Sequence, residues 1–213
     1  MKKAISRNGI ILATFAIVAT LVVAVVNELT KDRIAQQAQK QLLTTLNTII
    51  DSSTYNNDIH TACVIVNDKE LLGTKENLSA YLALYDDQPV AAAIETIAPD
   101  GYNGNIKLFV AITTSGEVSG VRVLSHQETP GLGDKIEIRK NPWITSFKGQ
   151  SIDNDNESQW QVKKDGGMFD QFTGATITPR AVVSAVKNTA IYFNKNQEQL
   201  FSQSTACQSE LNK

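Results

Sequence analysis

Two threonines three residues apart, Thr173 and Thr176, frame Gly174-Ala175 immediately before a helical pattern. Threonine hydroxyls placed there could hold or carry a phosphate. The first N–H groups of a helix lack intrahelical partners, and the helix dipole is positive at that end. The pattern runs from Pro179 to Phe193, with Val182, Val183, Val186 and Ala190 at the spacing of one helical face. Thr178 reads as the N-cap and Pro179 as the first helical residue, where a missing N–H costs nothing. A capped helix that binds nothing begins in the same way, so the motif by itself leaves both readings open.

A second segment offers complementary chemistry. His126-Gln127-Glu128-Thr129-Pro130-Gly131-Leu132-Gly133-Asp134 contains a Pro-Gly turn and a further flexible glycine. Backbone of this kind approaches a ligand closely, with Glu128 and Thr129 offering hydrogen bonds. Lys140, Asn141, Trp143 and Phe147 follow, a basic and aromatic group suited to lying against a planar ring. The ordinary alternatives are a surface turn for the first group and core packing for the aromatics.

The elements that must position these residues can be read along the chain. Asn8 to Asn27 is a run of 20 uncharged residues dominated by Ile, Leu, Val and Ala, long enough as a helix to cross a bilayer. A cleaved signal peptide would have an apolar region of only about 7–15 residues and a small-x-small cleavage site; Val25-Val26-Asn27-Glu28 offers none. Lys2, Lys3 and Arg7 precede the run without an acid, whereas Glu28, Lys31, Asp32 and Arg33 after it cancel. This asymmetry predicts an uncleaved anchor with the N-terminus in the cytoplasm. Ala35, Ala38, Leu42, Leu46 and Ile49 then continue an amphipathic helix. Strands are expected over 63–66, 81–85, 90–97, 106–114 and 118–124, and the Asn/Gln/Ser-rich end from Asn194 to Lys213 is expected to be loosely ordered. The fold class is α+β, a single N-terminal transmembrane helix followed by a domain with an antiparallel sheet.

Composition narrows the function. Setting aside Lys2, Lys3 and Arg7 leaves 17 basic against 22 acidic residues. An acidic exported surface argues against nucleic acid or anionic lipid as the main partner. The two cysteines, Cys63 and Cys207, either pair as a disulfide in an oxidising compartment or remain thiols. His60 and Cys63 have a metal-like spacing, but two histidines and two cysteines do not assemble a site. No metal ligand is expected.

Gly101-Tyr102-x-Gly104, Ser125-His126-x-Glu128-Thr129-Pro130-Gly131-Leu132-Gly133 and Asp170-x-x-Thr173-Gly174-Ala175-Thr176 together resemble the FMN-binding domain family in content and order. The stretch from Ala92 to Ala98 with Pro99-Asp100-Gly101-Tyr102 is similar to the G subunit of the Rnf (Rsx) electron-transport complexes. The resemblance covers essentially the whole chain, anchor included. It implies FMN carried covalently by the Thr176 hydroxyl as a phosphoester. Asp170, Thr173, Gly174, Ala175, Thr178, Glu128, Thr129, Leu132 and Trp143 are its expected surroundings, with no catalytic residue. A threonine hydroxyl cannot attack a phosphate unaided, and residues 170–180 hold no base of the histidine type. This agrees with attachment in trans by a flavin transferase using FAD and a divalent metal. The implied partners are that transferase, the lipid bilayer and the other subunits of a complex coupling ferredoxin and NAD chemistry to ion movement. The implied organisation is a cytoplasmic N-terminus (1–8), an inner-membrane helix (9–27), a helical stalk and linker (28–58), a periplasmic FMN-binding domain (59–193, attachment core 101–193) and a polar tail (194–213). Two alternatives remain: the C subunit of a sodium-translocating NADH:quinone reductase, and an anchor of the complex that carries no flavin.

Overall fold

The computed structural model describes residues 2–153 and 155–204, with side chains from Ser6 onward. The chain divides between Leu42 and Leu43 into a helical unit and a compact domain. The first unit belongs to one unbroken helix, α1 (Lys2–Ile49). Ile10, Phe15, Leu21 and Val26 along it are each more than half exposed, and its apolar part is long enough to cross a membrane. In hydrocarbon a helix is the one single-segment structure that pairs every interior N–H and C=O within itself, which outweighs the low helix propensity of the many valines and isoleucines.

The domain is built on a five-stranded meander: β1 (Cys63–Asp68), β2 (Thr74–Tyr85), β3 (Gln88–Gly101), β4 (Gly104–Thr113) and β5 (Val118–Ser125). Each strand pairs antiparallel with its sequence neighbour, so spatial order equals chain order. All five expected strands are present. The β2–β3 connection is a two-residue turn, Asp86-Asp87, with φ of 47° and 62°. Asp tolerates this conformation, and its twist matches that of a hairpin.

Alternation along the strands separates two faces. Leu78, Ala80, Leu82, Ala92, Ile94, Leu108, Val110 and Ile112 share one buried cluster with Val182, Val183, Val186, Ala190 and Phe193. These last residues belong to α2 (Ile177–Ser202), which packs mainly on β3 and β4. The opposite face is mostly alanine, with Tyr81 and Phe109 meeting edge to face at 5.7 Å. There Leu46, Ile49 and Ile50 are buried, and Ser119 Oγ donates to Ile49 O at 2.6 Å, tying the end of α1 to β5.

Among the described residues, the chain between β5 and α2 forms four short 3-10 turns, Gly133–Ile136, Pro142–Phe147, Glu157–Gln159 and Lys163–Asp165. Trp143, Phe147, Trp160, Phe169 and Phe172 pack there as one aromatic cluster, with ring separations of 4.6–6.3 Å. Some boundaries differ from expectation: β2 begins at Thr74, seven residues before the expected strand. α2 continues nine residues beyond Phe193, into the segment expected to be loose. Leu200 is buried, and Gln197 Nε2 donates to Thr114 O at 3.2 Å, so tertiary contacts hold a polar stretch in helical form. Whether Cys63 and Cys207 pair or remain thiols turns on Cys207, which lies outside the described residues.

Candidate functional site

Three segments distant in sequence converge at the start of α2. The β3–β4 turn contributes Tyr102. The loop after β5 contributes Glu128, Thr129, Leu132 and Gly133, and the approach to α2 contributes Gly174, Ala175, Thr176, Ile177 and Thr178. Together they line a cleft of about 380 Å³, a size typical of small-molecule sites.

The approach to α2 is shaped by a turn in which Ala175 N–H donates to Phe172 O at 3.2 Å. Gly174, at the third position, has φ +82°. A Cβ added there would find ordinary space, its nearest contact being Leu132 Cδ2 at 3.6 Å; the demand for glycine is conformational. Thr176 follows as the N-cap of α2, and its side chain makes no capping bond. A hydroxyl and the helix's first N–H groups are therefore available on the cleft, with no acidic residue in the first turn to oppose an anion. Arg180 in that turn is held by Asp165 through Nε–Oδ2 and a second guanidinium bond to Oδ1, both at 2.6 Å. The fork keeps the Asp165 carboxyl below its ordinary range.

This arrangement corrects the expected cap. Thr178 is the second helical residue and Pro179 the third. The Thr178 hydroxyl cannot cap because it turns inward and donates to Glu128 Oε2. Both residues are buried. The other oxygen of Glu128, Oε1, accepts the N–H of Asn103 at 3.1 Å, so the buried carboxylate is satisfied from two sides. A Cβ at Gly133 would lie 2.8 Å from both Glu128 Oε2 and Thr178 Oγ1; glycine is needed because the loop passes so close to the pair. Glu128 N–H donates to His126 Nδ1 at 3.0 Å, which places the imidazole proton on Nε2, 2.9 Å from Glu137 Oε1. That bond is the main cause holding the Glu137 carboxyl below its ordinary value, against desolvation and with help from Arg139.

Seven of the expected site residues line the cleft: Glu128, Thr129, Leu132, Gly174, Ala175, Thr176 and Thr178. Asp170, Thr173 and Trp143 do not. The Asp170 carboxylate is largely in solvent and pairs with Lys163 Nζ at 2.7 Å. Thr173 is exposed on the turn. Trp143 is buried behind the turn, its ring flanked by Phe147 and Phe172, and its Nε1–H donates to Asp170 O at 2.7 Å. It supports the turn before α2 from beneath and forms no wall of the cleft. Aromatic neighbours claimed it for the core, because a large apolar ring gains more from full burial than from a half-open wall. Gly133, in the glycine-containing loop expected to approach a ligand, also lines the cleft, whereas Tyr102 and Ile177 were not expected there. Tyr102 stood in view between Gly101 and Gly104; Ile177, an apolar residue ahead of the helical stripe and out of phase with it, was the other available signal.

Comparison with known proteins adds two findings. The FMN-binding domain profile matches residues 101–190, and the RnfG N-terminal region profile matches residues 1–49. The chain is 56% identical over 210 residues to the G subunit of the ion-translocating oxidoreductase complex of Vibrio cholerae serotype O1 (strain M66-2), covering 99% of this chain and 100% of that one. It is 53% identical over 208 residues to the protein of the same name from Shewanella baltica (strain OS223), covering 98% of each. A third of that name, from Shewanella oneidensis (strain ATCC 700550 / JCM 31522 / CIP 106686 / LMG 19005 / NCIMB 14063 / MR-1), is 52% identical over 210 residues, covering 99% of each.

Proposed function

The chain belongs to the G-subunit family of the ion-translocating oxidoreductase complex and carries that family's FMN-binding domain; from this premise we propose that FMN is bound covalently through the Thr176 hydroxyl, as a phosphoester. The observation that carries the proposal is the state of Thr176 itself. It sits at the N-cap, lines the cleft and spends its hydroxyl on no cap. N-cap threonines ordinarily use that oxygen on the helix, so its freedom here suits another use.

The residues present fit such a group. The helix start and Thr176 supply a hydroxyl and backbone donors for a phosphate at one end of the cleft. Leu132, Ile177 and Tyr102 supply apolar surface for a planar ring. When bound, the flavin supplies the redox chemistry, and the protein sets its environment and solvent access. The Glu128–Thr178 pair orients the first turn of α2, and Gly174 turns the chain so that Thr176 faces the cleft.

The attachment reaction requires a second protein. The bond from Thr176 Oγ1 to phosphorus forms as the pyrophosphate of FAD breaks and AMP leaves, and the hydroxyl proton passes to a base of the transferase. In the working complex the protein relays electrons in a chain linking ferredoxin and NAD to ion movement, from a domain on the periplasmic side of the inner membrane. The relatives compared above, matched over 98–100% of their length, are G subunits, which favours this reading over the C subunit of a sodium-translocating NADH:quinone reductase. The deciding experiment is the mass of the denatured chain, together with its flavin fluorescence after acid precipitation. Wild type carries one FMN phosphoester; Thr176→Ala carries none. Absence of flavin from the denatured wild type would overturn covalent attachment.

A further inference from the structure

Six large apolar side chains outside α1 are exposed among the described residues: Tyr85, Tyr102, Leu124, Leu132, Ile138 and Ile177. Scattered singly, such residues need no explanation. Three of them, Tyr102, Leu132 and Ile177, come from three separate segments and line one cleft. Tyr102 is 66% exposed, yet its turn is firmly held. Its neighbour Asn103 donates its N–H to Glu128 Oε1 at 3.1 Å and its Nδ2 to Gln127 O at 2.6 Å. A pinned turn thus presents an aromatic ring that the domain leaves uncovered.

Glu128 links the walls. It sits in the loop after β5, accepts from Asn103 beside Tyr102, and accepts from Thr178 in the first turn of α2. Those three segments supply every residue lining the cleft. The carboxylate is buried and engaged by protein donors on both oxygens, which marks a residue that spaces the walls apart and not one that contacts a ligand.

We propose that Tyr102 is the aromatic wall of the flavin cleft and that Glu128 is the positioning residue that holds it there; this rests on the reading of the cleft as the FMN site. An aromatic side chain beside a flat conjugated ring gains offset-stacked or edge contact. An electron-rich phenol in contact with a flavin ring also quenches its fluorescence.

The test uses the full-length, detergent-solubilised holoprotein, with covalent FMN quantified after acid precipitation and fluorescence normalised to it. Tyr102→Leu should retain FMN and raise emission per FMN several-fold, with a longer lifetime. Tyr102→Phe, which keeps a ring but is a poorer electron donor, should fall between. Glu128→Ala should raise emission as Tyr102→Leu does, by releasing the turn, whereas Glu128→Gln, still able to accept from Asn103, should stay near wild type. Asn103→Ala loosens the same turn independently and should also raise emission if Glu128→Ala does not fold. Unchanged emission in Tyr102→Leu at full FMN content overturns the proposal and leaves the FMN site standing. A response in Tyr102→Leu with none in the Glu128 and Asn103 variants overturns the role of Glu128. Absence of covalent FMN from the wild type overturns the attachment reading itself.

Discussion

The hydroxyl of Thr178 donates to Oε2 of Glu128, joining residues 50 positions apart beneath the cleft. This one bond moves the helix cap from Thr178 to Thr176 and makes burial of a carboxylate tolerable. Thr178→Val keeps the shape but leaves Glu128 Oε2 without its partner. The expected cost is about 1–3 kcal/mol of stability, read from guanidinium unfolding followed by tryptophan fluorescence. Thr178→Ser, which keeps the donor, should lose much less; equal losses in the two variants would show that packing of the methyl group, and not the hydrogen bond, matters there.

Thr176 makes no capping bond, so Thr176→Ala should change stability by less than about 0.5 kcal/mol while abolishing the covalent FMN mass. Thr176→Ser retains a hydroxyl and should be modified. Thr173→Ala, altering an exposed turn residue away from the cleft, should reduce modification only partly. Flavin retained on the Thr176→Ala chain after denaturation would place the bond elsewhere.

Trp143 and Leu132 should separate support from contact. Trp143→Phe removes the Nε1–H bond to Asp170 O and should cost about 0.5–1.5 kcal/mol, with little change in flavin absorption or midpoint potential. Leu132→Ala alters a cleft wall and should shift both at a smaller cost in stability. A larger spectral shift in Trp143→Phe than in Leu132→Ala would reverse these roles.

Acid should weaken the loop that follows β5. The His126 hydrogen bond holds Glu137 below its ordinary value of 4.5 in the folded protein. A depressed folded value means the unfolded chain binds the proton first, so this contribution is fully present above the ordinary value. It is lost as pH falls from there through the folded value. Unfolding free energy measured across that acid range should fall less steeply in Glu137→Gln than in wild type, and parallel curves would remove Glu137 from the account.

The proposed periplasmic placement of the domain rests on Lys2, Lys3 and Arg7 standing before the apolar run. An export-dependent reporter fused after Lys213 should be active and a cytoplasm-dependent one silent. The opposite result would invert the expected topology.

Much of the architecture was legible because it is local. The uncharged run from Asn8 to Asn27 needs no tertiary context to be helical in lipid. The five strands declare themselves by β-rich runs between polar turns, and short connections such as Asp86-Asp87 make a sequential antiparallel meander the natural result. The end of α2 was less legible. Asn, Gln and Lys beyond Phe193 carry no apolar stripe, and the helix persists through contacts at Leu200 and Gln197 that link it to distant residues.

At the site, the sequence by itself determined the local form of residues 173–180, since a glycine turn followed by a threonine and a helix start is specified by neighbours along the chain. Tertiary structure alone decided which threonine caps the helix, which aromatic is core and which is wall. Thr178 turns inward because Glu128 arrives from 50 residues away. Trp143 is core because Phe147 and Phe172 close around it, and Tyr102 faces the cleft because Glu128 and Gln127 pin its turn. Local periodicity and capping rules describe a residue's options. Burial of a charge or a ring chooses among them, and that choice depends on partners which only the folded chain brings within hydrogen-bond distance.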